Sequence, residues 1–274
     1  MITMAVLKRS LIYLVLIVCS IFFFMPVYVM VITSVKPLEE VSLAGMWSLP
    51  SKIDFTSYSE AFGKLAPNFL NSVYLVVPAT VLSALLGAMN GYVLSKWRFK
   101  GSETLFTFML FGMFIPYQSI LIPLIQFLRD IGLYNTIPGL ILVHVVYGIP
   151  ITTLMFRNFY TSIPDEMIES AKIDGAGFIK IFRHIMLPLS VSGFVVVGIW
   201  QFTNIWNEFL FAVTITQSDK QPIMVALQNL SGSQIVQWNV QMAGALLAAL
   251  PTLFVYILLG KYFVRGLLAG SVKG

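Results

Sequence analysis

Charge is scarce in this 274-residue sequence: Asp, Glu, Lys and Arg make up 11% of it, against roughly 25% in soluble domains. Together with 58% hydrophobic residues and a mean hydropathy of +0.85, that scarcity indicates an integral membrane protein. A single cysteine, Cys19, excludes an internal disulfide framework and a cysteine-built metal site. Only two histidines occur, His144 and His184, with no His–Glu pair at zinc spacing. The chain has no Gly-x-x-x-x-Gly-Lys-Ser/Thr, so it cannot cradle nucleotide phosphates by that means. It also lacks a Ser–His or carboxylate-dyad arrangement, which argues against an intramembrane enzyme. No internal repeat or low-complexity tract interrupts it.

What it has instead is long apolar runs. Six of them, near residues 11–32, 69–94, 105–127, 137–156, 191–213 and 242–263, approach the roughly 20 residues that a helix needs to cross a bilayer. Continuous runs of this kind speak against a β-barrel, whose strands alternate. The expected fold class is all-α: a polytopic membrane protein with six transmembrane helices, forming a single transmembrane domain over residues 1–274. If both termini share a side with the loops after the second and fourth spans, that side holds twelve of the 17 Lys and Arg, from Lys8 and Arg9 to Arg265 and Lys273. Lys36, Lys52, Lys64, Arg129 and Lys220 lie opposite. The bias makes the first side cytoplasmic, so both termini are expected there. It also accounts for most of the net charge of +5, leaving no argument for nucleic acid. The first apolar run exceeds a signal-peptide core of about 7–15 residues and reads as a retained anchor, with Cys19 inside it.

Between the fourth and fifth spans, Ser162-Ile163-Pro164-Asp165 offers a capping box with proline in the first turn. A helix is expected from there through Met167, Ile168 and Ala171, ended by Gly175 in the left-handed conformation. Phe178, Ile181, Phe182 and Ile185 recur at helical spacing, predicting a second short helix closed by Pro188. The result is a helix–turn–helix elbow; an amphipathic loop lying on the membrane surface is the alternative.

The same stretch resembles the EAA loop of ABC-importer permeases: Glu-Ala-Ala, three residues, Gly, nine residues, Ile-x-Leu-Pro. Glu169, Ala171, Gly175, Ile185, Leu187 and Pro188 fall at the expected positions, and Ser170 replaces the middle alanine. The resemblance extends over most of the chain. Its six-span layout, Pro116-x-Gln118 with Pro123, and Trp206-Asn207-Glu208-Phe209 are similar to the maltose-type branch of sugar permeases. That family implies a MetI-like core of five helices plus one additional N-terminal helix, in a bacterial inner membrane. It implies a second permease, in a heterodimer, over two ATPase subunits at the cytoplasmic face, and an extracytoplasmic solute-binding protein. The chain itself would carry no cofactor, ATP and Mg being bound by the ATPases. Residues 157–190 would be the cytoplasmic coupling loop, with Glu169, Ser170, Ala171, Asp174, Gly175, Ile185, Leu187 and Pro188 at the contact, and Glu169 bonding the ATPase surface.

The fifth span carries a polar stripe. At 100° per residue, Trp200, Gln201, Asn204, Asn207 and Glu208 fall within an arc of about 120° on one helix face. Lipid cannot satisfy such groups, so the stripe faces other helices or a water-filled path. Amides and a carboxylate beside an indole suit a ligand rich in hydroxyls, and interhelical bonding between two permeases suits them equally. Gln118 and Tyr147, beside the prolines of the third and fourth spans, are further path candidates. His144 reads as an interhelical polar residue and His184 as a surface one. Asn90-Gly91-Tyr92 fits close helix packing or the path. Residues 36–68 and 214–241 form the longer outer segments, read as covering loops or partner-contacting surfaces. The expected function is the permease subunit of a sugar importer; a permease for another solute, or an ion-coupled secondary transporter with Glu208 almost its only intramembrane ionisable group, is the alternative.

Overall fold

A computed structural model describes residues 2–232 and 236–271, with side chains for 6–232 and 236–262. Ser233, Gln234 and Ile235, within the segment 214–241, and Lys273 lie outside the described residues, as does the side chain of Arg265. Among the described residues the secondary structure is helical, without strands. In order these are α1 (Ile2–Ser34), α2 (Thr56–Lys96), α3 (Ser102–Phe111), α4 (Leu121–Asp130), α5 (Ile137–Thr161) and α6 (Asp165–Ile173). They continue with α7 (Phe178–Ile181), α8 (Leu187–Leu189), α9 (Val191–Trp206), α10 (Leu210–Ile215), α11 (Ile223–Leu230) and α12 (Trp238–Ser271). Four helices are long and apolar enough to cross a membrane, and six spans result if each of two bent helix pairs counts as one.

Two expected spans are broken. The third, expected over 105–127 with Pro116 bending it, turns by 89° between Phe114 and Tyr117. Pro116 is the cause: its ring disfavours the helical conformation at the preceding residue, and Ile115 is extended, with φ −73° and ψ 118°. The fifth, expected over 191–213, stops at Trp206 and resumes at Leu210. There the Glu208 carboxylate accepts hydrogen bonds from the amides of Phe211 (2.7 Å) and Ala212 (3.2 Å). A carboxylate that satisfies the first free N–H groups of a helix starts a new one.

The described chain clusters into two units, one running up to Ala66 with Leu227–Ala249, the other comprising Pro67–Ala226 and the chain from Leu250 onward. In the first, α1 is exposed along most of its length, Cys19 included. The loop after α1 is folded on the buried Lys36, which donates to Gly45 O at 2.6 Å and Ser48 Oγ at 3.3 Å, while Asn239 Nδ2 donates to Lys36 O. Trp47 stacks on Tyr28. Asp54 Oδ1 accepts from the Thr56 amide at 2.8 Å and so starts α2.

The second unit holds the main core. Tyr92, Phe156, Tyr160, Ile168, Ile181 and Met186 are buried in one cluster that joins α2, α5 and the segments from α6 to α9. Gly91 packs directly on the backbone of Phe156 and Arg157, which is the close-packing reading of that tripeptide. Arg157 bonds Glu103 at 2.5 Å and lies over the Phe106 ring, securing α3.

Phe156→Ala is expected to cost about 3–5 kcal/mol, read as a lower thermal midpoint of the purified protein by tryptophan fluorescence. Leu43→Ala, at a side chain 90% exposed, is expected to leave that midpoint unchanged. Equal midpoints for the two variants would show that the cluster does not hold the unit together.

Candidate functional site

Two regions of the second unit gather the chemistry-bearing residues, an elbow and a cavity. The elbow begins at Asp165, but without the expected capping box. Ser162 Oγ bonds back to Phe159 O at 2.6 Å and closes α5, and α6 follows Pro164 with no side-chain cap. Asp165 pairs with Lys96 at the end of α2, and Lys96 Nζ also donates to Ile163 O at 2.6 Å. The hydrogen bond and charge of Lys96 hold the Asp165 carboxyl below the usual carboxylate range. Lys172 Nζ lies 4.2 Å from the centre of the Trp97 ring, a second tie to α2.

Gly175 ends α6 as the spacing predicts. Its φ is +76°, its amide donates to Lys172 O at 3.0 Å, and the Ala176 amide reaches Ala171 O at 2.9 Å. This pair of bonds is the Schellman motif, which requires the left-handed residue at its centre. Ala171 and Ala176 both pack against the buried cluster. Glu169, Ser170 and Asp174 are exposed. Ile173, one turn beyond Glu169 on α6, is 87% exposed and Ile179 on α7 is 62% exposed, so the elbow presents apolar side chains.

The second short helix departs from expectation. After α7 the chain widens into a π-turn, Phe182–Met186, in which the Leu187 amide donates to Phe182 O. Pro188 does not close the helix but lies in the first turn of α8, where its missing N–H costs little. The break comes at Ser190, whose buried hydroxyl donates to Met186 O at 2.6 Å, and α9 leaves at 76°. Ile185 and Leu187 are half-buried against the cluster, and Pro188 is exposed. His184 is exposed, with Nδ1 at 3.0 Å from Lys180 O.

The cavity, of about 820 Å³, is lined by Tyr147 and by all five residues of the polar stripe: Trp200, Gln201, Asn204, Asn207 and Glu208. The stripe is not a single helix face, because α9 ends at Trp206; the turn after it carries Asn207 and Glu208 to the same wall. Gln201 is 3% exposed, and its Nε2 donates to Ser83 Oγ at 3.2 Å and His144 O at 3.5 Å, tying α9 to α2 and α5. The fit is close: a Cβ on Gly148 would collide with the Gln201 amide. Asn204 and Asn207 are exposed, their Nδ2 atoms donating to Trp200 O and Thr203 O, both at 2.8 Å.

Gln118 is exposed and lies outside this wall, whereas its neighbour Tyr117 lines the cavity with its ring 5.0 Å from that of Phe211. His144 also lines it. Its ring meets Phe211 edge-on, and its buried Nε2 has no hydrogen-bond partner, standing 3.8 Å from Glu208 Oε2. The interhelical role expected of His144 is thus one of packing, with the nearest acceptor beyond hydrogen-bond reach. Tyr117, Phe211, Lys96 and Trp97 were not singled out for these roles by the sequence. The only signal was indirect: Tyr117 lies between Pro116 and Gln118, and Lys96-Trp97 ends the second apolar run.

Known proteins place this geometry. The fold aligns with a chain of a bacterial ABC transporter involved in the import of the acidic polysaccharide alginate, with a TM-score of 0.82, over 94% of this chain and 96% of the other, at 21% identity. In sequence the chain is 48% identical to a probable ABC transporter permease of Pyrococcus horikoshii, over 97% of this chain and 98% of that one. It is 34% identical to a glucose import system permease of Saccharolobus solfataricus, covering 98% and 97%, and 35% identical to a xylose/arabinose import permease of Haloferax volcanii, covering 90% and 87%. Residues 79–268, which contain the elbow and the cavity wall, match the family described as the binding-protein-dependent transport system inner membrane component, and the chain belongs to that family.

Proposed function

We propose that this chain forms, with a second permease, the membrane path of an ABC importer for a sugar or oligosaccharide. The observation that carries the reading is the direct continuity of elbow and cavity. The elbow runs through α8 into α9, and α9 bears Trp200, Gln201 and Asn204 on the cavity wall. A displacement at the elbow therefore has a covalent and packed route to the solute site, through Phe194 and Val197 at the buried cluster.

In this reading the partner permease differs from this chain, and two ATPase subunits dock on the cytoplasmic elbow. They bind ATP and Mg and hydrolyse the nucleotide; this chain performs no catalysis. Glu169 offers a charged acceptor to the ATPase surface, on the same elbow as the exposed Ile173 and Ile179. Both termini are cytoplasmic, as the Lys and Arg distribution favours. The solute arrives outside on a binding protein; a solved alginate transporter of related fold is in complex with a periplasmic protein carrying a pentasaccharide. Relatives named for glucose, xylose/arabinose and diacetylchitobiose support a sugar as the solute. The cavity's amides and aromatic rings agree with this, since amides donate to and accept from hydroxyls while rings cover C–H surface.

At the elbow, Gly175→Val forces a β-branched residue to a φ of +76°, a strain of about 1–3 kcal/mol. Glu169→Lys inverts a charge on the exposed face. Both variants are expected to insert normally and to lose most uptake, with either detached ATPase or hydrolysis without transport. Uptake, hydrolysis and subunit retention measured in the same vesicles decide it, and normal uptake with normal retention in both would remove the coupling role.

In the cavity, Asn204→Leu and Asn207→Leu are expected to lower uptake several-fold at unchanged thermal stability, because both side chains bond only their own helix among the contacts described. Gln201→Leu is expected to behave differently. It removes buried bonds to Ser83 and His144 and should cost about 1–3 kcal/mol of stability. Unchanged uptake in both asparagine variants, at matched expression, would favour a packing role for the wall.

A further inference from the structure

We propose that Glu208 makes the cavity selective for uncharged polyhydroxy solutes over their anionic, uronate counterparts. The inference rests on the sugar reading above and names the class of sugar. Among the described residues the cavity wall contains no Lys or Arg, and Glu208 is its one acidic group. Its carboxylate is not free to swing away. Oε1 accepts from the Phe211 amide and Oε2 from the Ala212 amide, and the His144 ring stands beside it with Nε2 3.8 Å from Oε2.

A carboxylate has about four lone-pair sites, so two backbone bonds leave capacity for solute hydroxyls. An incoming carboxylate meets the opposite situation. It would face a fixed like charge in a partly desolvated cavity with no described cationic side chain on the wall to pair with it, and a charge stripped of water and left unpaired is strongly disfavoured. A cationic solute gains less than the formal charge suggests, because both oxygens already accept backbone N–H groups. The amides of Asn204 and Asn207 and the rings of Tyr117, Tyr147 and Trp200 complete a wall suited to neutral sugars. The fold alone does not set this preference, since an importer of the acidic polysaccharide alginate shares it.

The test uses the purified complex of this chain with its partner permease and ATPases, free of binding protein so that no other component selects the solute. Saturation-transfer NMR with D-glucose, D-xylose and diacetylchitobiose as neutral probes, D-glucuronate as the charged match to glucose, and choline as a cation gives relative binding. The wild-type complex is expected to favour D-glucose over D-glucuronate by about tenfold or more. Glu208→Gln should shrink that ratio to about threefold or less. Asn204→Lys, which adds a cation without disturbing the cap of α10, should do the same. Equal or tighter binding of D-glucuronate or choline by the wild type, or an unchanged ratio in both variants, would overturn the inference while leaving the sugar reading intact. Failure of every sugar to bind would overturn both.

Discussion

The buried contact between the elbow and the helices behind it is the constraint from which the rest follows. Tyr92 from α2, Phe156 and Tyr160 from α5, Ile168 from α6, Ile181 from α7 and Met186 from the π-turn share one cluster, and Val197 from α9 closes it. Ile168 and Ile181, on the elbow and outside the spans, each contribute roughly 1.5–3 kcal/mol by leaving water, so the elbow is a packed part of the unit and not a tether. A loop floating on the membrane surface would have turned Ile168 and Ile181 towards lipid; both are buried in protein. The nearly buried Lys96, paired with the exposed Asp165, and the exposed Lys172 add polar ties at the edge of this contact.

With one face of the elbow committed to the core, the composition of the other acquires meaning. Ile173, on α6 with Glu169, and Ile179 on α7 are exposed on the elbow, outside any span. Apolar side chains held out in this way by a Schellman turn are what a docking surface needs, and a charged acceptor next to them fixes orientation. Gly175 creates this arrangement, because the left-handed turn lets α6 and α7 fold back through Ala171 and Ala176.

Spans and elbow were legible in the sequence because long apolar runs and a glycine at a helix end are local signals. Gly175 took the predicted conformation, and the residues of the polar stripe reached one wall. What failed depended on competition between partners. Ser162 had two uses for its hydroxyl, a cap for α6 or the closing carbonyl of α5, and took the second. Pro188 was read as a terminator, yet a π-turn upstream moved it into a first turn, where proline is tolerated. Extending α9 to Glu208 assumed that the backbone had no better acceptor, and the Glu208 carboxylate was that acceptor for α10. The cavity positions of Tyr117, and of His144, read as an interhelical polar residue, were not legible for another reason: their neighbours there come from α9 and α10, far away in sequence.

The two broken spans carry an argument about the cavity itself. Irregular backbone at membrane depth leaves amides and carbonyls without helical partners, and lipid offers none in exchange. Such breaks persist where protein or water satisfies them. Here one break lies between Phe114 and Tyr117 and the other between Trp206 and Leu210, and residues flanking both line the same cavity, Met113 and Tyr117 from the first and Asn207 to Phe211 from the second. Two independent interruptions, one imposed by proline and one by a capping carboxylate, thus meet at a single concave wall. Protein groups answer much of this need: Glu208 takes the first amides of α10, and at the other break the Ile115 amide reaches Gly112 O and the Ser119 amide Pro116 O. The concave wall where the two breaks meet is joined by α9, whose Val197 lies in the buried cluster, to the packed elbow.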